Sequence, residues 1–210
     1  MRYIMKRSFF IIIVVASLIF LTACPDDPNS PSTPVEILPL ALGNYWIMES
    51  LKLDSVGSVL RTTYDTLEIN DEMTYQGKQY FMLTNVGVRN GSDGMYQLIH
   101  DTENDTYQEV LTLKYPAKAG DVFMSGSDEI TVMATNISIT VPAGTFKCYQ
   151  YRDVYEVIDD ENPEYSGKYI RDMFVAPGIG FVKMEGIATT LQGAFKHHSK
   201  NHLKSYKLMK

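Results

Sequence analysis

The segment Glu129-Ile130-Thr131-Val132-Met133-Ala134-Thr135-Asn136-Ile137-Ser138-Ile139-Thr140-Val141 has the period of two that belongs to a β-strand, not the 3.6 of a helix. Ile130, Val132 and Ala134 share one face; Ile137, Ile139 and Val141 share the other by numbering parity. A strand changes its buried face only through an irregularity, so the switch at Thr135-Asn136 predicts a bulge or a bend. The β-branched residues support the same reading, because they pack well on a pleated surface.

The period of two continues in both directions from this segment. Strands are expected near 45–54, 58–69, 79–88, 95–101, 107–114, 129–141, 145–157, 166–175, 179–190 and 202–208, rich in Tyr, Thr, Val and Ile. Gly57-Ser58, Asn90-Gly91 with Gly94, Glu103-Asn104-Asp105 and Asp159-Asp160-Glu161-Asn162-Pro163 supply residues that tolerate the dihedrals of tight reversals. Consecutive hairpins make an all-β antiparallel meander, forming either a barrel-like or a sandwich domain. No amphipathic helix stands out, and helical structure is expected to amount to little beyond a turn around Pro39 to Gly43.

Pro39-Leu40-Ala41-Leu42-Gly43-Asn44-Tyr45-Trp46 and Pro116-Ala117-Lys118-Ala119-Gly120-Asp121-Val122-Phe123 share the pattern Pro-x-x-x-Gly-(Asn/Asp)-x-aromatic. Each reads as a turn that launches a strand: Pro limits the approach, Gly permits positive φ, and the aromatic fills the core. Two related halves or a reused corner would account for the echo; chance recurrence of four positions is the alternative.

The amino terminus carries Arg2, Lys6 and Arg7, then an apolar run from Phe9 to Leu21, then Leu21-Thr22-Ala23-Cys24. The run is about 13 residues, against roughly 20 needed to span a bilayer. This arrangement resembles a bacterial lipoprotein signal, with an ordinary secretory signal or an uncleaved anchor as the alternatives. The resemblance implies that Cys24 receives a diacylglyceryl thioether, that residues 1–23 are cut away, and that the new amino terminus takes a palmitate-type acyl chain. Several chains, at about 0.8 kcal/mol per buried methylene, give durable membrane attachment.

Residues 24–36 then hold four prolines and no large apolar run before Val35, a composition that stays extended and reads as a tether. Asp26-Asp27 is similar to the export signals of surface lipoproteins of Bacteroidetes-like bacteria; a merely soluble linker is the other reading. The outer membrane is the expected location, with the leaflet open.

Three segments resemble ones that recur in uncharacterised secreted lipoproteins of Bacteroidetes. They are Gly43-Asn44-Tyr45-Trp46, Val141-Pro142-Ala143-Gly144-Thr145-Phe146-Lys147-Cys148-Tyr149, and Ala176-Pro177-Gly178-Ile179-Gly180-Phe181-Val182-Lys183 with the closing Leu203-Lys204-Ser205-Tyr206. The resemblance implies a β-rich exported domain, here residues 37–210, without an assigned reaction. Read physically, the Pro and Gly positions in these segments are framework turns first and binding loops second.

The whole chain has 19 Lys and Arg against 25 Asp and Glu. Three of the cations and none of the acids precede Cys24, so the mature chain keeps 16 against 25, a net charge of −9. Nucleic acid and anionic lipid are therefore not expected partners. The cluster Lys196, His197, His198, Lys200, His202, Lys204, Lys207 and Lys210 is the one basic exception, read as a solvated strand face and frayed terminus, or as a contact to a phosphate-rich surface. With Cys24 acylated, Cys148 has no disulfide partner and is expected to be a buried, inert thiol.

Gly-x-Ser-x-Gly, Gly-x-x-x-x-Gly-Lys-(Ser/Thr), His-Glu-x-x-His and Cys-x-x-Cys are all missing, so no catalytic, cofactor-binding or metal-binding residues are assigned. His197, His198 and His202 offer a weak metal set, since neighbours on a strand point to opposite faces. Asp101-Thr102-Glu103-Asn104-Asp105 alternates oxygen donors as calcium loops do, but has Thr106 where glycine belongs, and Asp159, Asp160, Glu161 and Glu164 read as a solvated acidic loop. Tyr149, Tyr151, Tyr155, Tyr165 and Tyr169 fall on two adjacent strands and form either a half-buried sheet surface or a face for a sugar or amphipathic ligand.

Together these readings point to a non-enzymatic envelope lipoprotein that binds a ligand or partner: an envelope protein, a glycan or a small amphipathic molecule. Two other classes stand beside it. One is an envelope hydrolase working through carboxylates such as Asp153, Glu156 or Asp172, which would need two carboxyls within roughly 5–10 Å. The other is a structural assembly component, marked by a long unprotected edge strand.

Overall fold

A computed structural model describes residues 36–102, 104–158 and 166–209. Twelve strands follow one another along the described chain: β1 Tyr45–Leu53, β2 Val59–Tyr75, β3 Lys78–Leu83, β4 Val86–Gly91, β5 Gly94–Asp101, β6 Thr106–Lys114, β7 Val122–Ser125, β8 Asp128–Val141, β9 Gly144–Val157, β10 Gly167–Ala176, β11 Gly180–Thr189 and β12 Phe195–Lys207. All pairings are antiparallel, in the order β6-β5-β4-β3-β2-β1-β12-β11-β10-β9-β8-β7. The meander is thus confirmed, and it curls into a nearly closed barrel rather than a sandwich.

The seam lies between β6 and β7. It is bridged by the Lys114–Asp121 ion pair at 3.1 Å and by the Tyr151 hydroxyl, which donates to the Lys114 carbonyl at 2.8 Å.

Several boundaries differ from expectation. The run 79–88 is two strands joined at Thr84-Asn85, where Thr84 takes φ 59°; a turn without Gly or Pro leaves no punctuation to read. β2 continues to Tyr75 because Gln76 and Gly77 both adopt positive φ, as a type I′ hairpin requires. β7 starts where the Pro116–Phe123 corner is read to launch a strand, but its extent was not expected: four residues are too few for a period to show. The basic segment is strand as far as Lys207, and β12 is an inner strand paired with β1 on one side and β11 on the other; Lys210 lies outside the described residues.

In β8, register shifts fall between Val132 and Ala134 and between Ala134 and Ile137. The extra residues return the strand to the same side, so Ile130, Val132 and Val141 are core residues and Ile137 and Ile139 pack against them. The parity switch is the bulge.

The two corner motifs build the same hydrogen-bonded unit. Gly43 N donates to Ile69 O and Ile69 N to Asn44 O, both at 2.8 Å; Gly120 N donates to Val132 O and Val132 N to Asp121 O, both at 2.8 Å. Both glycines take positive φ, 82° and 89°, a region that penalises any Cβ. Each corner launches the first strand of a six-strand run. The first is also locked by its Asn44 side chain, which donates to Pro39 O at 2.9 Å and accepts from Met209 N at 2.6 Å.

One end of the barrel is closed by packing. Trp46 is buried against Leu38 and the Pro177-Gly178 turn region, and its Nε1 donates to Ile179 O at 2.6 Å. The β8–β9 hairpin folds over β12, with Ala143 N donating to Leu203 O at 3.1 Å and Phe146 edge-on to Tyr206 at 6.0 Å. The framework reading of those proline-glycine segments is what the packing shows.

Candidate functional site

On the face of the sheet that carries Met48, Tyr151, Met173 and Leu203 of the core, the strand register lines side chains up in rows. One row crosses β2, β1, β12, β11 and β10 as Thr63, Ser50, Asn201, Met184 and Met173. The next, one step toward the open end, runs Arg61, Lys52, Ser199, Gly186, Arg171 and Asp153. Cross-strand partners sit about 5 Å apart, so this second row is a continuous belt.

Three hollows open along these rows. One of about 430 Å³ is bounded by Ser50, Lys52, Arg61, Thr63, Ser199 and Asn201. A second of about 220 Å³ lies among Tyr155, Tyr169, Arg171, Gly186 and Ser199. The largest, about 660 Å³, has Met48, Leu67, Leu83, Phe181 and Met184 as its apolar wall. Ser199 is common to the first two, and Ser50 and Asn201 to the first and third, so they form one trough with a polar rim and an apolar interior.

The trough exists because β2 changes partner. Its residues 59–68 pair with β1, while 69–75 pair with β3. The sheet opens where the two halves part, between Asp65-Thr66-Leu67 and the Thr84-Asn85 turn. Small residues keep the floor low: a Cβ on Gly186 would stand 2.9 Å from Ser199 Oγ.

The residues singled out from the sequence are distributed as follows. Asp153 lies on the inner face, 1% exposed and ion-paired with Arg171. Asp172 lies on the opposite face, gripped by Arg152 Nε and Nη2 at 2.8 and 2.6 Å, and Glu156 shares that outer face by register. The sheet separates Asp153 from the other two, and each paired carboxylate is committed to an arginine, so the three build no glycosidase-like dyad.

Tyr149 and Tyr151 belong to the core side of the seam, where burial raises both hydroxyls above the ordinary tyrosine range. Tyr155 and Tyr169 stack at 5.1 Å and 8° beside the smaller hollow. The expected aromatic face is therefore split between packing and the trough. Cys148 is free and buried, and burial pushes its thiol up to about 11, which suppresses the thiolate and makes it inert.

His198 and His202 face outward on β12, both held below the usual histidine range, first by burial and then by Lys200 and Lys183. Among the described residues, no three of His, Cys, Asp and Glu converge on a point that could hold a metal ion. Asp101 caps its own turn, accepting from Asn104 Nδ2 at 2.8 Å. Cys24, the tether as far as residue 35, Glu103, Tyr165 and the acidic loop 159–164 lie outside the described residues. Sequence reasoning missed Ser50, Lys52, Arg61, Ser199 and Asn201. Their alternation was visible, but nothing local showed which face turned inward.

No protein-family model and no curated protein matches this chain. Among solved structures, a candidate lipoprotein from Parabacteroides distasonis ATCC 8503 superposes with a TM-score of 0.54 at 12% identity, over 84% of this chain and 100% of that one. A candidate exported protein with a YmcC-like fold from Bacteroides fragilis NCTC 9343 gives 0.49 at 13% identity, over 81% and 98%. At such identities the likeness is one of fold.

Proposed function

We propose that this chain is a lipid-anchored, non-enzymatic protein of the bacterial cell envelope whose barrel holds a small amphipathic molecule in the trough of its inner face. In this reading residues 1–23 are a removed signal, Cys24 carries the acyl chains in the outer membrane, residues 24–36 are a tether, and residues 37–210 are the binding domain. The observation that carries the binding role is the 660 Å³ apolar hollow opening onto a polar rim, a size and lining typical of small-ligand sites. The fold likeness to a candidate lipoprotein and the Leu21-Thr22-Ala23-Cys24 pattern support the anchor.

The test is to purify the full chain in mild detergent, wash, denature, and weigh the released small molecules by mass spectrometry. A near-stoichiometric amphiphile that is lost from a Met184→Trp variant is expected; an empty barrel that also fails to take up a fluorescent amphiphile would refute the role. For the anchor, label from a lipid precursor should appear on the wild type and vanish from Cys24→Ser.

A second reading, a component of an envelope assembly, is favoured by β2: among the described residues, 59–67 pair only on their β1 side, leaving an edge open to another strand. A purely monomeric protein in envelope extracts, with no cross-link from a residue placed at position 62, would set it aside.

A further inference from the structure

We infer that the molecule held in the trough is an anionic amphiphile, its carboxylate or phosphate head seated in the Arg61–Lys52–Ser199–Gly186–Arg171 belt and its aliphatic chain in the 660 Å³ hollow. The inference rests on the binding role proposed above and adds the chemical class of the ligand.

The belt concentrates positive charge in an acidic protein. Arg61 and Lys52 stand directly opposite each other on β2 and β1, an arrangement that is unfavourable for like charges until an anion compensates it. Among the described residues, neither lies within ion-pair reach of a carboxylate. Arg171, on the far side of Ser199 and Gly186, gives its Nε and Nη2 to Asp153. Asp153 does not use Nη1, and the side chain is 40% exposed toward the smaller hollow.

Three cations thus share the row with one carboxylate, and that carboxylate is buried at its end. Ser199 and Gly186, the smallest side chains of the row, leave the space between the cations vacant. The Thr63 hydroxyl and the Asn201 amide line the same hollow, while the Ser199 hydroxyl donates to Gly186 O at 3.5 Å. Arginine and lysine with hydroxyl donors around a gap are the usual means of holding carboxylate or phosphate.

The apolar wall fixes the other half of the ligand. Met48, Leu67, Leu83, Phe181 and Met184 line the large hollow, which meets the hollow of the belt at Ser50 and Asn201, and flexible methionines adapt to a chain of variable shape. Two charged residues also line that hollow, and both are engaged: Asp65 accepts from Ser50 Oγ at 3.0 Å, and Lys183 is paired with Glu185 at 2.9 Å. A free anion would leave the apolar wall unused; a neutral amphiphile would leave the cation pair uncompensated.

The test is displacement of a fluorescent amphiphile from the full chain, below micelle concentrations, by dodecanoate, dodecyl phosphate, dodecyl maltoside and inorganic phosphate. The Lys52→Gln/Arg61→Gln double variant, both of whose sites are exposed, is measured alongside, with Trp46 emission as the check on folding. Dodecanoate and dodecyl phosphate should bind at least tenfold more tightly than dodecyl maltoside. The double variant should lose at least tenfold for the two anions and keep its affinity for the maltoside.

Equal affinities for charged and neutral probes, or an unaffected double variant, would overturn the anionic assignment while leaving the binding role intact. Inorganic phosphate competing as well as dodecyl phosphate would overturn the amphiphile in favour of a free-anion site. Failure of every amphiphile to bind would overturn this inference and the binding role together.

Discussion

Arg171 grips the Asp153 carboxylate side-on across β10 and β9, Nε standing 3.3 Å from Oδ1, and the two partners differ sharply in burial: the carboxylate is 1% exposed, the guanidinium 40%. Removing the arginine strands a charge away from water; removing the acid leaves a cation that can still reach it. Arg171→Met should therefore destabilise by roughly 3–5 kcal/mol, and Asp153→Asn by only about 1–2 kcal/mol. Urea unfolding of the two variants measures the asymmetry, and equal losses would contradict it.

Trp46 is the sole tryptophan of the chain and ties β1 to the turn before β11 through its bond to Ile179 O, 133 residues away. Its emission should be blue-shifted when folded and move to the red on unfolding. Trp46→Phe keeps most of the apolar volume but leaves that carbonyl unpaired in the core, which should cost about 1–3 kcal/mol.

Gly94 takes φ 149°, and an added Cβ would stand 1.9 Å from Leu113 O, a backbone atom held in the β5–β6 ladder. Gly57, at φ 86°, has nothing within 4 Å of its Cβ position. Gly57→Ala should cost about 1–2 kcal/mol for the left-handed backbone alone, whereas Gly94→Ala should cost well over that or abolish folding. Comparable melting temperatures for the two variants would be inconsistent with the described register.

Stability should fall as pH drops below neutrality. The folded protein holds His202 below the unfolded value of 6.5, by burial and then by Lys183 and Lys200, with Glu185 and Glu49 opposing. The unfolded chain therefore takes up the proton first, and the stabilisation present above pH 6.5 is lost as pH falls through the folded value. Glu185 extends the loss: burial pushes it up, but Lys183 and Lys200 hold it below 4.5 overall, so its contribution disappears from about pH 4.5 downward. His202→Asn should lessen the slope of the melting temperature profile between pH 7 and pH 5, His198 carrying the remainder, and leave the drop below pH 4.5 in place; an unchanged profile between pH 7 and pH 5 would show that His202 contributes nothing to it.

Much of the fold is legible residue by residue. The parity switch of β8 identifies the bulge at Thr135-Asn136 because side-chain alternation is a property of the backbone, whatever the strand packs against. The Pro-x-x-x-Gly-(Asn/Asp)-x-aromatic corners are likewise visible, since a left-handed glycine before a side chain that bonds its own turn is local chemistry. The extent of β7 and the Thr84-Asn85 turn escape because Val122–Ser125 is too short to display a period and Thr84 reaches positive φ with no glycine to announce it.

The site is less legible. Met48-x-Ser50-x-Lys52 and Arg61-x-Thr63-x-Asp65 each alternate, but alternation shows only which residues share a face. That face turns inward, and Arg61 reaches the row of Arg171, because four interstrand registers spanning residues 52 to 199 and 171 to 186 happen to align.

What the amino-acid order determined by itself is an antiparallel β meander with its bulge and its two corners, because periodicity, branching and turn chemistry act over a few neighbouring residues. Only the tertiary structure decided that the meander curls into a barrel, that β2 divides between two partners to open a trough, and that three distant cations line its rim. Strand adjacency and register are long-range choices, settled by how the whole core packs.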